Sequence, residues 1–214
     1  MSLDYNLSLW NKKNMNDFVI NDFFVFIQIP KTSTTNIHNC CIQKKLVKKI
    51  PCYRHEGLLF IEQFIENKNI PVYSIVRNPF TQILSYFFHQ LNWKELLLDK
   101  NLSLIENFNV FVKKEINNVH LRQCDYLKSN KNIKVKIFKF ENKDFNEFIK
   151  QTYNIDLELN LTNHNFNNYK KIVMEIYNLT EKDFFQNKEI VDLIIKERKK
   201  EFKEFNYSKD INCL

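Results

Sequence analysis

Twice within residues 23–91 the chain repeats one order: a strongly apolar run, a polar turn opened by a cation, and a helical stretch. Residues 23–29, Phe-Phe-Val-Phe-Ile-Gln-Ile, are aromatic and β-branched and stop at Pro30, which reads as a buried strand. The hydroxyl-rich turn Lys31-Thr32-Ser33-Thr34-Thr35-Asn36 follows and caps a helix expected to reach about Lys48. Residues 71–76, Pro-Val-Tyr-Ser-Ile-Val, read as a second strand. Arg77-Asn78-Pro79 stands at its end, and a helix is expected from Phe80 to Leu91. This alternation is that of a parallel sheet joined by crossover helices. The expected fold class is therefore α/β, a three-layer α/β/α sandwich with a central parallel sheet and a helical C-terminal portion.

The remaining pattern predicts a short strand at 50–53, a helix at 57–67, helical structure over 104–127 and a strand at 134–140. Helices are expected at 143–153 and 187–204, and the polar stretch 160–168 reads as a loop. With no internal repeat and no low-complexity linker, residues 1–214 read as one domain, long enough to bury a proper core.

Glycine occurs once, at Gly57, while Phe occurs 20 times, so turns that ordinarily use glycine must be built without it. The formal net charge is +7, from 32 Lys+Arg against 25 Asp+Glu, which suits an anionic ligand. The five cysteines, at 40, 41, 52, 124 and 213, form no CxxC pair and read as reduced thiols. Five N-x-[ST] sequons are unremarkable in so Asn-rich a chain. No basic leader with an apolar segment opens the chain, and no apolar run reaches about 18 residues. A soluble, cytoplasmic protein with no membrane span is expected, and no nucleic-acid motif is present.

In open parallel sheets, ligands sit beyond the carboxyl ends of the strands, where helix N-termini present free N–H groups. Lys31 with the hydroxyls of Thr32, Ser33, Thr34 and Thr35 offers one anion a cation and several donors. Arg77, with Ser85 eight residues later on the next helix, offers a second. Either segment alone reads as well as a helix cap or a solvated surface. Paired at two strand ends of one α/β unit, they point to a nucleotide with phosphates at both ends.

These segments resemble the two cofactor signatures of the Golgi-type carbohydrate sulfotransferases, the group that includes heparan sulfate 2-O-sulfotransferase and the chondroitin enzymes. The family patterns run approximately I-P-K-T-G-G-T-S and R-N-P-[YF]-x-R-L-x-S. Here they stand as Ile29-Pro30-Lys31-Thr32-Ser33-Thr34-Thr35-Asn36 and Arg77-Asn78-Pro79-Phe80-Thr81-Gln82-Ile83-Leu84-Ser85. Three later segments are also similar: Gln123-Cys124-Asp125-Tyr126-Leu127, Phe138-Lys139-Phe140-Glu141-Asn142 and Phe202-Lys203-Glu204-Phe205-Asn206-Tyr207. The resemblance spans residues 23–207. It implies a P-loop-like sulfotransferase domain, with cofactor signatures within 23–91 and an acceptor-side portion at about 104–207. It further implies 3′-phosphoadenosine 5′-phosphosulfate (PAPS) as sulfuryl donor and a saccharide or glycan as acceptor. Residues Lys31 to Asn36 would hold the 5′-phosphosulfate, Arg77 and Ser85 the 3′-phosphate, and Lys31 would neutralise the leaving phosphate. No metal is implied.

The acceptor must lose a proton as it attacks sulfur, so a base is expected. By the same resemblance this is His55, which lies 22 residues before Arg77, with Glu56 in reserve. His38 and His89 are expected in packing or helix-surface roles, His120 near a helix cap, and His164 in a polar loop. The family's paired glycines are replaced by Ser33 and Thr34. If those positions are left-handed, each costs about 1–2 kcal/mol. Gln82 stands where an arginine is common. The alternatives are a non-catalytic member of the same fold that binds a nucleotide or glycan, and a P-loop nucleotide kinase. The kinase is disfavoured because no glycines precede Lys31 and Pro30 does.

Overall fold

The computed structural model describes residues 16–50, 55–66, 69–93, 96–157 and 165–214. It is a mixed α/β fold around a three-stranded parallel sheet made of β2 (Val25–Ile27), β4 (Val72–Val76) and β5 (Val135–Lys139), with β4 in the centre. Val25 lies opposite Val72, Val72 opposite Val135, and Val76 opposite Lys139. A separate antiparallel pair joins β1 (Asn16–Phe18) to β3 (Lys48–Ile50).

Alternation along the strands sorts the core into two faces. Val25, Ile27, Val72 and Val76 pack with Leu58 and Ile61 of α2 (Leu58–Ile61) and with Cys124 and Tyr126 of α5 (Gln123–Tyr126). Phe24, Phe26, Tyr73 and Ile75 pack on the other side with Ile37 and Cys41 of α1 (Thr34–Gln43) and with Phe145 and Ile149 of α6 (Phe145–Tyr153). Every residue of β4 is buried, as the apolar run predicts. β5 is one of the two edge strands, and its exposed Lys136 lies across the Phe148 ring at 3.7 Å.

A third cluster is rich in aromatic rings, which make up half of its buried residues. It joins α3 (Pro79–Asn92) to α4 (Leu104–Glu115), α8 (Lys188–Glu197), α9 (Lys199–Glu204) and the 3₁₀ turn Glu181–Phe185.

Several expected elements are shorter than the periodicity suggests. The helix expected over 57–67 stops after one turn because Glu62 folds inward, accepting from the Ser129 hydroxyl (2.5 Å) and the Asn130 amide (3.2 Å). The 104–127 stretch breaks at Asn118, whose side chain caps the His120 amide. The 187–204 stretch breaks at Arg198, whose buried guanidinium donates to the Ile116 carbonyl. The first helix ends at Gln43 to make room for β3, and residues 51–53 of the expected strand lie outside the described residues. The expected loop at 160–168 is corrected in part. Residues 165–168 open helix α7 (Asn165–Ile176), while 160–164 lie outside the described residues.

Candidate functional site

Because β2 and β4 are parallel, the two cation-bearing turns leave the sheet from the same edge. The first turn is built from hydroxyl bonds instead of glycine. The Ile29 carbonyl accepts from both the Thr32 hydroxyl (2.9 Å) and the Thr34 hydroxyl (3.2 Å). Lys31 and Ser33 take φ of 66° and 65°, so the left-handed positions are these two, while Thr34 already begins α1. Thr32 is fully buried and its side chain is turned away from the cleft; Lys31, Ser33, Thr34, Thr35 and Asn36 line the cleft.

The second turn is braced from three directions. Asn78 caps α3 through the Phe80 amide (3.0 Å), with Pro79 at the first helical position. Gln123 clamps the Arg77 backbone, accepting from its N–H at 2.8 Å and donating to its carbonyl at 2.7 Å. Glu141 accepts from the Asn78 amide (2.9 Å) and from the Tyr207 hydroxyl (2.8 Å). The Arg77 guanidinium lies 4.4 Å over the Phe140 ring and donates to Thr81 Oγ1 (3.1 Å) and to the Lys31 carbonyl (3.2 Å). Gln82 adds a second tie between the turns by donating to the Pro30 carbonyl (3.2 Å). The three downstream segments singled out in the sequence thus each touch one strand end.

Helix α3 divides its faces between core and cleft. Phe80, Ile83, Leu84, Phe87, Phe88 and Leu91 enter the aromatic cluster, Ser85, His89 and Gln90 line the cleft, and Tyr86 belongs to both. His55 is on the cleft wall, with Nδ1 at 2.8 Å from the Gln28 carbonyl. A carbonyl only accepts, so Nδ1 carries the proton in the neutral ring and Nε2 keeps its lone pair. Two residues on, Gly57 has an ordinary φ of −79°. Its role is clearance, since a Cβ there would sit 3.2 Å from Tyr126 Cα.

The cleft encloses about 1170 Å³. Five cations, Lys31, Arg77, Lys143, Lys170 and Lys171, face two carboxylates, Glu175 and Glu181. Crowding of charge is felt by the groups themselves. Burial, with Arg77 adding to it, brings the Lys31 ammonium down to about 7. Burial lowers Arg77 as well, against the opposing influence of Glu181, Glu141 and Tyr207. His89 falls to about 4 through burial and then through Lys31 and His55, so it is a neutral ring at pH 7.

Sequence reasoning missed His89 and His120 as cleft residues; both line the wall. It also missed α7, which brings Lys170 and Lys171. The signal was Tyr169, Val173 and Met174, which pack on the aromatic cluster at helical spacing. His38 is in packing, buried with Nε2 2.7 Å from the Asp17 carbonyl. Glu56 is not among the cleft-lining residues, and His164 lies outside the described residues. Among the described residues no cluster of His, Cys, Asp and Glu could hold a metal, and no helix is long and apolar enough to cross a membrane. Comparison with protein-family models, curated proteins and solved structures found no match for the chain.

Proposed function

We propose that this protein is a PAPS-dependent sulfotransferase with a P-loop-like three-layer domain, cytoplasmic and soluble, acting on a hydroxyl or amine of a saccharide. The reading is carried by one observation. The Arg77 guanidinium donates to the Lys31 carbonyl, so the two anion-binding turns share one cation-rich wall. Lys31, Ser33, Thr34, Thr35 and Asn36 then serve the 5′-phosphosulfate, with Thr32 shaping the turn from within. Arg77 and Ser85 serve the 3′-phosphate.

In the proposed reaction the acceptor oxygen or nitrogen attacks sulfur in line, and the sulfur–oxygen bond to the 5′-phosphate breaks. His55 Nε2 takes the acceptor proton, and the Gln28 carbonyl holds the ring in the tautomer this requires. The negative charge left on the bisphosphate product falls beside Lys31, whose ammonium matches it where water is scarce. The protein's part is positioning and charge stabilisation.

A thermal-shift and calorimetric titration of adenosine 3′,5′-bisphosphate against ATP tests the reading. The bisphosphate should bind more tightly. At a hundred times its Kd it should stabilise by about 2.7 kcal/mol, a Tm rise of roughly 5–10 °C for a domain of this size. Equal affinity, or a preference for ATP, refutes it. A non-catalytic binder is the second reading, favoured by a left-handed backbone at Lys31, where the resembled pattern has no glycine, and at Ser33, where serine replaces one. Bisphosphate binding without sulfate transfer from labelled PAPS to a panel of glycans, alcohols and amines would favour that reading.

A further inference from the structure

Resting on that reading of the cleft, we propose that Lys170 is a specificity residue for the ligand's 3′-phosphate and that Glu181 competes with that phosphate for it. Helix α7 packs along α3, the helix that starts beside Arg77 and carries Ser85. Lys170 Nζ lies 2.6 Å from Glu181 Oε1, and both side chains line the cleft. Their exposure differs sharply: the lysine side chain is 13% accessible and the glutamate 40%.

A nearly buried ammonium is costly unless it is fully compensated, and Glu181 compensates it only in part. Even at contact distance from the carboxylate, burial and then Arg77 leave Lys170 below its ordinary value. Arg77 draws on the same carboxylate, which is its strongest electrostatic support. Lys170 and Arg77 therefore both lean on Glu181, with Glu141 as Arg77's further carboxylate, and a dianionic phosphate would add negative charge beside both cations. Packing does not require the lysine, since α7 is held to the core by Tyr169, Val173 and Met174. A ligand without the second phosphate leaves the Lys170–Glu181 pair in place. A ligand with it recruits Lys170 away, so the lysine reports on that phosphate alone.

The test is calorimetric titration at pH 6.5 of adenosine 3′,5′-bisphosphate and of adenosine 5′-monophosphate. The proteins are the wild type, Lys170→Gln, Glu181→Gln and the double variant. Lys170→Gln should weaken the bisphosphate about 10–100-fold, the value of a charge-assisted bond, and the monophosphate less than about threefold. Glu181→Gln should tighten the bisphosphate and leave the monophosphate unchanged. The double variant removes both charges yet keeps two groups able to hydrogen-bond, so it guards against misfolding of the single variant. It should keep monophosphate affinity and lose the preference. Parallel weakening of both ligands, or an unchanged preference, would assign Lys170 a structural role and overturn the proposal. A wild type with no preference for the bisphosphate overturns the sulfotransferase reading and this inference together. A wild-type preference that survives Lys170→Gln overturns the Lys170 assignment alone.

Discussion

Lys31 meets two opposed demands. Anion binding needs its charge, while burial beside Arg77 penalises that charge and brings its pKa to about 7. The sign of both consequences follows. Above about pH 7 the ammonium deprotonates, so affinity for adenosine 3′,5′-bisphosphate should fall, by up to about tenfold per pH unit. The ligand's phosphates are already fully ionised there, their second pKa being about 6, so the loss belongs to the protein. Calorimetry from pH 6 to 9 should show this slope, and Lys31→Met should bind weakly with a flat profile. Stability runs the other way. Between about 7 and the unfolded value of 10.5 the unfolded chain holds the extra proton, so this group's contribution to stability rises with pH. A rising affinity across that range would refute the assignment of Lys31 to the anion. His55 is a different kind of residue-level case. Its identity is readable in the sequence, but the bond from Nδ1 to the Gln28 carbonyl is not, because 27 residues and a sheet edge separate them.

At the scale of elements, the Lys31 turn shows how a chain with one glycine builds a tight loop without it. Thr32 and Thr34 tie their hydroxyls to the Ile29 carbonyl, and Ser33 bears a left-handed backbone at the start of α1 without any side-chain cap bond. A non-glycine residue there costs about 1–2 kcal/mol, while glycine carries an entropic penalty of about 0.5–1 kcal/mol. Ser33→Gly should therefore stabilise by about 0.5–1 kcal/mol, read as a rise in the urea midpoint with unchanged slope. A fall in the midpoint would show that the serine hydroxyl contributes more than its strain costs. β2 and β4 were legible because their runs are apolar on both faces, a pattern imposed by burial on both sides, and β5 because its basic and apolar residues alternate. Helix α7 was not, since its Asn-rich opening resembles a loop and only its later residues carry the apolar spacing.

Across the whole molecule, the cleft depends on the aromatic cluster behind it. Phe184 is fully buried, with ring centroids 5.3 Å from Phe108 and 5.6 Å from Phe88, and it lies in the same 3₁₀ turn as Glu181. Phe184→Ala should cost about 3–5 kcal/mol and lower the Tm by roughly 10 °C, measured by calorimetric or circular-dichroism melting. A change of less than about 1 kcal/mol would mean that the cluster does not support the turn. What the sequence determined unaided is local: two buried strands and the cation-bearing turns after them, set by neighbours a few residues away. Only the tertiary structure decided that Gln123, Glu141 and Tyr207 brace the Arg77 turn, that Thr32 faces inward, and that α7 brings Lys170 to the same cleft. Those are contacts between residues far apart in the chain, and which of many polar side chains meet is settled by the packing of helices on the sheet and on one another.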